Sequence, residues 1–186
     1  MSNGPRYYPM AALIRLTLIS LYLALVLPLP LLAPGDLRLW MTLAVPAGLL
    51  LVLAITSERV ELDEQGLRVG HPPWCSWWLR RGWSLPWSAI SGLTPVATSQ
   101  GGRVFYVRSQ AENGAPGVRR SYLLPQRVAG FDDFLERFSA ASGIDTQTVG
   151  RITPPWTYQL LALLSGLLLA GELAVFALHP AMPGGV

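Results

Sequence analysis

The chain has 186 residues, 51% hydrophobic and 13% charged, with a mean hydropathy of +0.37. That is too apolar and too sparsely charged for an ordinary soluble domain of this length, so part of it needs lipid as solvent. The net charge of +3 is too small and too scattered for the basic face that nucleic-acid binding requires, and the single cysteine, Cys75, excludes an internal disulfide and a cysteine-built zinc site.

Three stretches lack charge for long enough to cross a bilayer core, which takes about 20 helical residues. Leu16 to Ala33 and Leu39 to Thr56 each run 18 residues, and Ile152 to Gly171 runs 20. Pro34-Gly35-Asp36 is a turn signal, so the first two predict a helical hairpin. The first segment is too long, and Leu31-Leu32-Ala33 too poor a cleavage pattern, for a signal peptide. The predicted organisation is a tail and hairpin over 1–56 (spans about 16–33 and 39–56) and a soluble domain over 57–145. A linker over 146–155, a third span over 156–178 and a tail over 179–186 complete it. Of the 14 Arg, 11 lie in the interval Glu58 to Arg151, and Arg6 and Arg15 precede the first span. The positive-inside rule therefore predicts a cytoplasmic N-terminus and domain, an opposite C-terminus, and a plasma (inner) membrane, or a thylakoid-type one in a photosynthetic cell. Trp40, Trp156 and Tyr158 suit the membrane interface. Glu172 lies about 24 Å along the third helix from Trp156 at about 1.5 Å per residue. Arg38, at the outer start of the second span, is its best-placed ion-pair partner; alternatively Glu172 reaches the outer interface alone.

From Arg59 the pattern becomes short alternating segments broken by turns, which predicts antiparallel strands. Val60 and Leu62 with Leu67 and Val69 form a hairpin turning at Gly66. Ser84 to Ile90 and Leu93 to Val96 follow, with a break at Ser91-Gly92. Arg103 to Arg108 reads as a half-buried strand, the loop Ala111 to Gly117 as its connection, and Arg119 to Leu124 as the next strand. After Pro125 the period turns helical: Phe131, Phe134, Leu135 and Phe138 share a face, acids lie in the first turn, and Gly143 caps the end.

The predicted fold is thus an α+β membrane protein: a transmembrane hairpin, a small antiparallel sheet or barrel closed by a C-terminal amphipathic helix, then a third transmembrane helix. The exit Thr56-Ser57-Glu58-Arg59-Val60, the hairpin Glu61 to Val69, the strand Leu85-Pro86-Trp87-Ser88-Ala89-Ile90 and the closing helix resemble the bacterial pleckstrin-homology-like (PH-like) membrane proteins, over roughly Ser57 to Ile144. The two-span layout and Arg103-Val104-Phe105-Tyr106-Val107 are also similar to the photosystem I assembly protein family, from which the third span departs. That second resemblance implies an assembly factor.

No catalytic constellation, cofactor motif or metal-ligand spacing is legible, so a non-enzymatic protein without cofactors is expected. The concentrated feature is His71 to Trp87, which holds five of the seven Trp. Trp83 and Trp87 alternate in phase with Leu85, so one face of that strand belongs to a core. Trp74, Trp77 and Trp78, beside prolines, with Arg80, Arg81 and Trp83, form the candidate interaction site. Trp and Arg dominate protein hot spots, and indole and guanidinium groups equally suit a membrane surface with anionic lipid headgroups; a cluster without partner is the third reading. The expected partners are the lipid bilayer and a membrane protein or complex, served by a scaffold. A lipid-sensing module is the alternative, and a transporter or enzyme subunit comes third.

Overall fold

The structure is a computed structural model that describes residues 4–79, 82–97, 103–109, 120–147, 149 and 155–178. It divides into two compact units: residues 1–11 with 57–154, and residues 12–56 with 155–186.

In the first unit a four-stranded antiparallel sheet has the order β1 (Arg6–Pro9), β2 (Arg59–Leu62), β3 (Gly66–Gly70), β4 (Trp83–Pro86). A second, three-stranded antiparallel sheet comprises β5 (Ile90–Ala97), β6 (Arg103–Ser109) and β7 (Ser121–Leu123). Between β3 and β4 lies the single helical turn α4 (Pro73–Ser76). The turn from β2 to β3 is closed by Asp63, whose Oδ1 accepts the Gln65 and Gly66 amides at 2.8 and 2.7 Å. Helix α5 (Phe131–Ser142) starts after Gly130 and ends at Gly143, both left-handed at φ +64° and +69°, where glycine avoids the Cβ penalty. Its Phe131, Phe134 and Phe138 are wholly buried, packed with Val60, Leu67, Val69, Phe105 and Val107 of the two sheets.

Four features of this unit differ from the expectation. The N-terminal tail contains strand β1, paired Pro9↔Arg59 through Arg6↔Leu62, and Met10 bridges to Val128. Four residues of which Tyr8 alone is buried carry too short a pattern to stand out beside a hydrophobic span. The predicted strand Ser84 to Ile90 is split by a 3-10 turn at Trp87–Ala89. Conversely, Ser91-Gly92 does not end a strand: β5 continues through it with a bulge between Ile90 and Gly92. The predicted strand Arg119 to Leu124 is β7, shorter at both ends, and the loop 111–117 lies outside the described residues.

The second unit consists of α1 (Ala12–Val26), α2 (Leu29–Leu32), α3 (Gly35–Ile55) and α6 (Pro155–Leu178). Among the described residues three helical spans, Ala12–Leu32, Gly35–Ile55 and Trp156–Leu178, are long and apolar enough to cross a membrane. The first begins earlier than Leu16, taking Arg15 into its first turn. It breaks after Val26, because Pro28 has no amide to donate to Ala24. Of the helices, α1 and α6 pack most extensively. Ile14, Thr17 and Ala24 of α1 and Ser165 of α6 are buried, and Thr17 Oγ1 lies 3.4 Å from the Tyr158 carbonyl. Helix α3 packs on α1 through Gly48, over which the Tyr22 hydroxyl donates to the Val45 carbonyl at 2.7 Å. Elsewhere these helices expose Leu along their whole length, as Leu163, Leu164, Leu167 and Leu168 do on α6. A helix apolar all round belongs in lipid.

Candidate interaction site

The segment from β3 to β4 begins with His71-Pro72-Pro73. Pro72 accepts the Cys75 and Ser76 amides at 3.1 and 3.0 Å and so closes one helical turn. Positions i, i+3 and i+4 of such a turn share a face, which puts Trp74, Trp77 and Trp78 together on the outside, 54%, 82% and 54% exposed. Cys75 points the other way and is buried, its Sγ 3.3 Å from Ser57 Oγ. The Trp77 indole N–H is held by the Trp74 carbonyl at 3.1 Å, which stiffens the patch.

Trp83 does not join this group. It packs on Tyr122 with ring centroids 5.0 Å apart and contributes to the core, because strand alternation turns Trp83, Leu85 and Trp87 to one side. Trp87 fills the same layer against Phe138 at 5.8 Å. Arg80 and Arg81 lie outside the described residues. Two other arginines, which the sequence reading passed over, flank the turn: Arg59 and Arg68 line a cleft of about 250 Å³ with Glu61, His71, Pro73 and Ser76. Alternation would have placed Arg59 and Arg68 outward, but only the β2–β3 register brings them to the Trp turn. Arg59 also stacks over the Tyr7 ring at 5.0 Å. A second cleft, of about 470 Å³, opens between β4 and β7 and contains Glu58, His71 and Trp83.

The predicted partners Arg38 and Glu172, both among the described residues, do not form an ion pair, whereas Arg137 and Asp133 do, at 3.0 Å. Helix α6 packs mainly on α1, and α1 in turn on α3, so the helices carrying the two charges share little contact. Glu172 Oε2 is enclosed without a hydrogen-bond partner.

The shifted titrations centre on Asp133 of α5. The Tyr8 hydroxyl donates to its Oδ2 at 2.7 Å, and Arg137 Nε donates to both oxygens at 3.0 and 3.1 Å. These hydrogen bonds, Tyr8's first, hold the Asp133 carboxyl below its ordinary range. Burial, then the bond to Asp133, pushes the Tyr8 phenol up to about 12. This triad fastens β1 to α5 and is structural in character.

The described residues therefore combine an α+β domain of two small antiparallel sheets with three helices long and apolar enough to span a membrane. The chain is 39% identical over 176 residues to uncharacterized protein slr0269 of Synechocystis sp. (strain ATCC 27184 / PCC 6803 / Kazusa), covering 92% of this chain and 85% of that protein, and it belongs to that protein's family. No family model and no solved structure matches it.

Proposed function

We propose that this protein is a non-enzymatic, membrane-anchored scaffold whose cytoplasmic, PH-like domain holds a partner protein beside the bilayer. Four antiparallel strands, three more, and a closing helix against both sheets support the PH-like reading of the domain. The observation that carries the scaffold role is the Trp74, Trp77, Trp78 face: three exposed indoles on one stiffened turn, anchored from beneath by buried Cys75. Large aromatic side chains held in place need little further ordering on binding, which is what makes them effective anchors. A membrane protein complex or its assembly intermediate is the natural client.

The positive-inside rule supports the orientation, and β1 adds to it. Residues 6–9 pair with residues 59–62 across the intervening hairpin, so both segments lie on one side of the membrane, as two spans require.

Pull-down of the full chain in mild detergent tests the scaffold. A stoichiometric protein partner is expected with the unaltered chain and at least a tenfold loss with the Trp77→Ala/Trp78→Ala double variant. Undiminished capture by that variant refutes the role of the turn.

The cleft formed by Arg59 and Arg68 favours a second reading, in which the turn inserts among anionic headgroups while the two guanidinium groups meet phosphate. Under that reading the Trp77 fluorescence of full chain in nanodiscs responds to replacing phosphatidylcholine by phosphatidylglycerol, and no protein partner is captured.

A further inference from the structure

The two sheets leave a seam. In the β6–β7 pair, Ser109 N–H donates to the Arg120 carbonyl and Leu124 N–H to the Phe105 carbonyl, both at 2.9 Å. Hydrogen-bonded pairs alternate along an antiparallel ladder, so Tyr122 faces β6, while Ser121 and Leu123 turn their N–H and C=O groups away from it. In the β3–β4 pair, Trp87 N–H donates to the Gln65 carbonyl at 3.2 Å. The same alternation aims Trp83 and Leu85 at β3 and turns the peptide groups of Ser84 outward.

Ser121 and Leu123 both line the 470 Å³ cleft, so the unpaired edge of β7 opens on a volume of ligand size, with Gly82 and Trp83 also in its lining. The next outward positions are Pro86 on β4 and Pro125 on β7. Proline has no amide to offer, so the unpaired run is confined to a short window on each edge. The cleft also carries chemistry for side chains. Trp83 and Tyr122 form an apolar wall, Glu58 is the one carboxylate among the described lining residues, and His71 Nδ1 is enclosed without a hydrogen-bond partner.

We propose that this seam is a peptide-binding cleft that takes an extended segment of a partner polypeptide as an added strand. The main-chain groups of Ser121 and Leu123 pair with the segment, as in strand addition to other open sheets. At about 3.3 Å per residue the window accommodates about three to five residues. The segment has alternating apolar side chains against Trp83 and Tyr122 and a basic side chain reaching Glu58. The inference rests on the reading of the domain as a protein-binding module, at a site separate from the exposed Trp face.

The test pans a displayed heptapeptide library on the detergent-solubilised full chain. Enriched peptides with alternate apolar positions and a Lys or Arg are expected. Their binding falls at least tenfold in Leu123→Pro, which removes an outward amide without touching a β6 hydrogen bond. It also falls in Glu58→Gln and persists in Trp77→Ala/Trp78→Ala. Because Leu123→Pro can disturb β7, amide exchange on the unaltered chain gives a second readout: bound peptide slows the Ser121 and Leu123 amides at least tenfold. No enriched peptide, or peptides that leave both amides unprotected, overturns the proposal. So does protection by phosphatidylglycerol vesicles or by raised protein concentration instead of peptide, which assigns the seam to lipid or to a second copy. Loss of partner capture in the Trp double variant with peptide binding intact separates the two sites.

Discussion

Tyr8 joins the N-terminal strand to the closing helix through one hydroxyl and one ring, which packs edge-on to Phe134 at 5.5 Å. Tyr8→Phe keeps the ring and removes the hydrogen bond to Asp133. The Asp133 carboxyl titrates lower in the folded state, so its contribution is present above the unfolded pKa and is lost as pH falls through the folded one. The Tyr8 phenol titrates higher, so its contribution is complete below about 10 and is lost as pH rises towards about 12. Tyr8→Phe is therefore expected to lower stability between these limits and to return the Asp133 titration towards an ordinary carboxylate. Carboxyl-carbon NMR titration and thermal unfolding at pH 2, 7 and 11 check it; an unmoved Asp133 titration contradicts the assignment. None of this was legible in the sequence, because the residues are 125 positions apart and nothing in either neighbourhood marks the other.

At the scale of elements, the α1–α3 hairpin is held where Gly48 admits the Tyr22 ring. In lipid there is no hydrophobic gain from bringing helices together, so close packing around small residues and interhelical hydrogen bonds carry the association. Gly48→Leu is expected to displace Tyr22, break its bond to the Val45 carbonyl, and cost about 1–3 kcal/mol, the usual penalty of overpacking. Mixed-micelle unfolding measures this. The double variant Gly48→Leu/Tyr22→Ala should recover part of the loss, and strict additivity would show that the two residues do not share the contact. Helix α5 teaches the opposite lesson about legibility. Its three Phe at helical spacing, acids in the first turn and Gly143 at the end are local signals, and the helix observed over Phe131–Ser142 follows them.

For the whole molecule, the chain leaves the domain after β1, makes the hairpin, and returns at β2 to pair with the strand it left. The hairpin is thus an insertion in a sheet whose two ends are tied by main-chain hydrogen bonds, and α6 follows the domain in chain order. A cysteine introduced by Gly184→Cys is expected to react with membrane-impermeant maleimide from outside intact cells only. Buried Cys75 gives little background. Labelling solely from the cytoplasmic side after disruption would overturn the three-span orientation.

The three spans, the change to strand periodicity at Arg59 and the closing helix were determined by the sequence alone, since each depends on hydrophobicity repeated over neighbouring residues. Tertiary structure alone decided that the N-terminal tail supplies β1, that Trp83 belongs to the core while Trp74, Trp77 and Trp78 face outward, and that Arg38 and Glu172 do not pair. It alone put the outward edge of β7 on one cleft with Trp83 and Glu58. Each of these depends on strand register or helix neighbours, which long-range packing selects and short-range pattern does not encode.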